Sequence, residues 1–144
     1  MPLNTVALPL ERFTQLKHLA KKEGVTLSGA VAGLLDDAIA ANRLPDTLPG
    51  WLIQRIGDNV LLTHEVSGFA KLMPFDCAVS IGQILLQFGH PMKGRSGHLD
   101  IDVMIEIRRQ GAGIIMRDAE SMAEVTMAGN VAADIGKRLT RAAN

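Results

Sequence analysis

The stretch LNTVALPLERFTQLKHLAKKEGVTLSGAVAGLLDDAIA, residues 3–40, decides how this chain is read. Leu3 to Leu8 read as a short strand, with Val6 and Leu8 on one side and Leu3, Thr5 and Ala7 on the other. Pro9 closes the strand and suits the first turn of a helix, where a missing N–H costs nothing. Between Leu10 and Glu23, Phe13, Leu16, Leu19 and Ala20 fall on one helical face, and Lys17, Lys21 and Lys22 fall mainly on the other. Gly24 is a helix stop and Thr26 a helix N-cap. Ala30, Val31, Leu34, Leu35 and Ala38 then form the apolar face of a second helix. One strand and two short helices bury too little to fold alone, and a lone strand leaves a row of backbone groups unpaired. Antiparallel pairing of the strand with its copy answers both needs. It predicts a homodimer with a core of Val6, Leu8, Phe13, Leu16, Val31, Leu34 and Leu35.

Three segments in order, Thr5-Val6-Ala7-Leu8-Pro9, Leu16-x-x-Leu19-Ala20-x-x-x-Gly24, and Val25-Thr26-x-Ser28 leading into Val31-x-x-Leu34-Leu35, resemble the ribbon–helix–helix family of Arc- and MetJ-like repressors. The resemblance covers residues 3–40. It implies that the outward ribbon face, Leu3, Thr5 and Ala7, enters the DNA major groove. It also implies that the start of the second helix, at Thr26 and Ser28, meets the phosphate backbone, with Lys21 and Lys22 adding charge. The chain departs from the family in the ribbon, where only Thr5 among the outward residues can hydrogen-bond to a base.

Residues 44–50, Leu-Pro-Asp-Thr-Leu-Pro-Gly, have no periodicity and read as a linker between a module at 1–43 and a domain at 51–144. That domain repeats at a shift of 54 residues. Arg55 falls on Arg109, Gly57 on Gly111, Met73 on Met127, Ala78 on Ala132, Ile81 on Ile135, Gly82 on Gly136 and Leu85 on Leu139. Each copy, about 51–88 and 101–142, reads as ββα. The first has strands at Trp51–Ile56 and Asn59–Thr63 and a helix near Pro74–Phe88. The second has strands at Ile101–Arg108 and Gly113–Arg117 and a helix near Val125–Ala142. The predicted whole is α+β: a ribbon–helix–helix dimerisation module followed by a four-stranded antiparallel sheet with two helices on one face. Gly89 to His98 between the copies reads as an exposed loop, with Lys93, Arg95 and Ser96 as an anion- or partner-binding candidate.

Fifteen basic and fifteen acidic residues give no net charge, so DNA binding must come from a local patch. With 3% aromatics and no Tyr, the composition argues against a base-stacking surface for single strands. The single Cys77 permits no internal disulfide, the N-terminus has no leader pattern, and no apolar run reaches the roughly 20 residues of a membrane span. The chain therefore reads as cytoplasmic, without membrane association. Cys77 sits at an apolar helix position and reads as structural. His90, His98, Asp100 and Asp102 match no standard metal spacing. No nucleophile or acid–base constellation emerges, so no enzyme activity, cofactor or metal is expected. The sequence points to a dimeric DNA-binding transcriptional regulator, a repressor of autoregulatory or antitoxin-like type, with a C-terminal partner-binding domain. The alternative is an adaptor or inhibitor that uses the module only to dimerise.

Overall fold

The computed structural model describes residues 4–89 and 97–144. They fold as mixed α+β in two compact units, Met1–Thr47 and Leu48–Asn144. In the first unit, α1 (Leu10–Glu23) and α2 (Leu27–Ala40) form a helical hairpin. Gly24 adopts the left-handed conformation at φ 67° and ends α1, its N–H donating to Lys21 O and that of Val25 to Ala20 O. Residues 4–8, read as a strand, carry no strand pairing within the chain. A ribbon that pairs only with a second copy has no partner in one chain.

The second unit runs β1 (Trp51–Ile56), β2 (Asn59–His64), β3 (Ala70–Pro74), α3 (Phe75–Phe88), β4 (Gly97–Asp100), β5 (Ile105–Gln110), β6 (Gly113–Asp118), β7 (Glu124–Ala128) and α4 (Gly129–Ala142). Its strands form two antiparallel sheets, β1-β2-β3 and β4-β5-β6-β7, and not the single four-stranded sheet expected. Each half is βββα and not ββα. The third strands, β3 and β7, are short and run directly into helices, so the start expected at Val125 moves to Gly129. The strand expected over Ile101–Arg108 is broken. Ile101 to Met104 form a turn in which Met104 takes φ 56°, and β5 begins at Ile105. Gly97 and His98, read as loop, belong to β4.

At a shift of 54 residues β1 coincides with β5, β2 with β6, β3 with β7 and α3 with α4. The left-handed positions recur at the same shift: Gly50 with Met104, Gly57 with Gly111, and Gly68 with Met122. Gly57 and Gly111 each open a two-residue hairpin turn, where φ near 60° at the first central position matches the strand twist. Ser67 Oγ accepts the Phe69 N–H, and Ser121 Oγ accepts the Ala123 N–H, both at 3.2 Å.

One core joins the two halves, with Val60, Leu62 and Met73 from the first sheet, Ile105, Ile107, Ile114 and Met116 from the second, and Ile81, Leu85, Ile135 and Leu139 from the helices. The helices cross where neither carries a side chain. A Cβ on Gly82 would lie 2.8 Å from Gly136 O, and one on Gly136 would lie 2.5 Å from Gly82 O. Substituting Gly136 with Ala must therefore push backbone from backbone. Overpacking of this kind costs on the order of 1–3 kcal/mol, and urea denaturation of Gly136→Ala should show that loss.

A buried ion pair also bridges the halves. Lys71 Nζ on β3 donates to Asp118 Oδ1 at the end of β6 (3.2 Å) and to Glu120 Oε1 (3.0 Å). Burial alone would raise the Asp118 pKa. The Glu120 N–H, the Lys71 ammonium and the Ser121 hydroxyl outweigh it and hold the carboxyl below the ordinary aspartate range. Because the folded pKa lies below the unfolded one, this carboxylate stabilises the fold above about pH 4 and its contribution fades as pH falls through the folded value. Asp118→Asn should cost about 1–3 kcal/mol near neutrality. The melting-temperature gap between variant and parent should shrink as pH is lowered below about 4.

Candidate nucleic-acid interface

The first unit hides almost nothing. Among its described residues only Ala20 and Ala30 are buried, at 5% and 1% exposure. The seven residues expected to form a dimer core are left uncovered or half-covered. Val6 is 81% exposed, Leu8, Phe13 and Val31 between 40% and 45%, Leu34 49% and Leu35 50%, while Leu16 is half-buried. Leu10, Val25 and Leu27 add to the bare apolar surface.

The connection between the helices carries the expected phosphate-facing residues. Thr26 Oγ1 accepts the Gly29 N–H at 3.0 Å and caps α2. Its hydroxyl therefore has a structural task, and the helix N-terminus keeps other backbone N–H groups directed outward. Ser28 lies exposed in the first turn of α2. Lys21 and Lys22 lie exposed in the last turn of α1, where positive charge also favours the helix dipole.

On the ribbon segment Thr5 and Ala7 are exposed, and Leu3 lies outside the described residues. Lys93, Arg95 and Ser96 also lie outside them, as does His90. Sequence reasoning passed over a basic depression on α1, lined by Leu10, Phe13, Thr14, Lys17, His18 and Lys21. Its cations lie one helical turn apart, and Lys17 Nζ stands 5.6 Å from the Phe13 ring centre. The i,i+4 spacing of Lys17 and Lys21 was the available signal.

The other candidates in the second unit have structural explanations. Cys77 is buried. Burial first, and the neighbouring Asp76 carboxylate second, push its thiol up in pKa, away from a reactive thiolate. Asp100 Oδ1 accepts the N–H groups of Asp102 and Val103 and shapes the turn before β5. Among the described residues no helix is long and apolar enough to cross a membrane.

No protein-family model, curated protein or solved structure matches the chain.

Proposed function

We propose that the chain is a dimeric DNA-binding transcriptional regulator whose first unit pairs as a ribbon–helix–helix module. On this reading the second unit is an internal duplication of a βββα element and serves as a partner-binding domain. The observation that carries the proposal is the bare apolar surface of the first unit. Two helices with only two alanines buried among the described residues lack the burial a folded domain needs, so they require a cover. Antiparallel pairing of residues 4–8 with a second copy supplies it, and a two-fold arrangement closes the assembly.

DNA binding follows from the outer surface of that dimer. Lys17, Lys21 and Lys22 on α1 and the capped start of α2 present charge and backbone donors suited to phosphate. Thr5 is the one outward ribbon residue able to reach a base edge among Leu3, Thr5 and Ala7. Affinity would therefore come mainly from phosphate and discrimination would be modest. The same poor ribbon face and the zero net charge favour a second reading, an adaptor or inhibitor that uses the module only to dimerise.

Titration of short duplex DNA, including the protein's own promoter, at two salt concentrations separates the readings. The regulator binds more weakly as salt rises. Lys21→Ala with Lys22→Ala removes four cations from a dimer and should lower the salt slope by about three to four. It should weaken binding to all sequences by similar factors and lower stability only by the lost helix-dipole contribution, about 0.3–1 kcal/mol for each exposed lysine, checked by melting. Absence of binding at low salt would instead select the adaptor.

A further inference from the structure

The two βββα halves of the second unit differ at one place. In the second half the outer edge of β5 is covered by β4, which pairs His98 with Ile107 and Asp100 with Ile105. In the first half no strand among the described residues covers the corresponding edge of β1. The positions 54 residues before β4, residues 43–46, contain Pro45 and form no strand.

The side chains facing away from the core differ in the same sense. Along β5 they are Glu106, Arg108 and Gln110. Glu106 is ion-paired to Arg117 at 2.6 Å, and Arg108 to Glu124 at 3.8 Å. Along β1 they are Leu52, Gln54 and Ile56, with no charge, and Leu52 and Ile56 are 50% and 45% exposed. Leu72 on β3 extends this face and is 51% exposed. An uncovered edge beside exposed leucine and isoleucine invites strand pairing, and proteins ordinarily guard such an edge with charge, proline or a covering segment. Arg55 is no such guard, because it stacks 4.4 Å over Phe75 and its counterpart Arg109 stacks over Phe88 in the covered strand.

We propose that the open edge of β1 pairs antiparallel with β1 of a second copy, with Gln54 on the two-fold axis. Ile56 and Asn59 flank a two-residue turn as a directly bonded pair, so the even-numbered residues of β1 bond to β2. The N–H and C=O groups of Ile53 and Arg55 then point to the open edge. An axis at Gln54 places Ile53 opposite Arg55 of the copy and satisfies both sets of groups twice. It also places Leu52 opposite Ile56 of the copy, and Gln54 opposite itself, at the positions where side chains approach most closely. The order apolar, amide, apolar is thus self-complementary. The same operation on β5 would set Arg108 against Arg108, a like-charge pairing. A second copy of this chain is therefore the occupant that fits, and two copies would form one continuous six-stranded sheet.

Cysteine cross-linking in the full chain tests this. Opposed residues at such a site have Cα atoms about 4.5 Å apart, within disulfide range, and the only native thiol, Cys77, is buried. Under mild oxidation Gln54→Cys should form a covalent dimer at least ten times faster than Arg108→Cys. Leu52→Cys alone should not link, and Leu52→Cys with Ile56→Cys should. The pairing is overturned if Gln54→Cys links no faster than Arg108→Cys, or if Leu52→Cys alone links as fast as Gln54→Cys. The readout lies within β1 and is controlled by a second site in the same unit. It therefore fails or succeeds separately from the DNA titration.

Discussion

The second unit depends on the close crossing of α3 and α4 at Gly82 and Gly136. Each glycine stands against the other's carbonyl, so the helix axes approach to a distance that any side chain would forbid. That approach lets α4 lie against β1 and β2 of the first sheet as well as β6 and β7 of its own. A three-stranded sheet with one helix leaves much of its apolar face open. Two such halves sharing a helix pair enclose one continuous core. The Lys71–Asp118 pair then adds a polar tie between the halves, effective because both side chains are largely withdrawn from water.

The first unit has no such internal solution. Among its described residues only Ala20 and Ala30 are buried, and the larger apolar residues are exposed or half-buried. The chain thus hides apolar surface in two ways: by enclosing a core between two sheets and two helices in residues 48–144 and, on the reading proposed, by association in residues 4–40. The same contrast runs through the two sheets. The charged outward face of β5 has its edge covered by β4, whereas the outward face of β1 is uncharged and no strand among the described residues covers its edge.

Much of this was legible in the sequence wherever a pattern ran uninterrupted. Trp51–Ile56 and Asn59–Thr63 are short apolar-rich runs on either side of a Gly-Asp turn, and both strands stand close to where that pattern put them. The apolar spacing of α1 and α2 also gave both helices. Legibility failed where two elements meet without punctuation. Val125 and Met127 alternate as strand residues, but they run into a helix with only Ala128 between, so their periods merged. Ile101, Val103, Ile105 and Ile107 mimic one long strand because its break falls on Met104, a side chain that does not advertise a left-handed backbone. The corresponding position in the first half is Gly50, which does. The open edge of β1 was invisible for another reason. It is defined by a strand that pairs with β5 and has no counterpart beside β1 among the described residues, and pairing is not encoded in periodicity.

The central claim is that residues 4–8 form a ribbon with a second copy. Amide hydrogen exchange of Thr5, Val6, Ala7 and Leu8 tests it most directly, because these residues belong to no strand within one chain. Antiparallel pairing bonds alternate amides across the ribbon. Every second amide in this segment should exchange slowly in the assembled protein, and that protection should disappear on dilution. Exchange of all of them at the rate of a free extended chain, at every concentration, would contradict it.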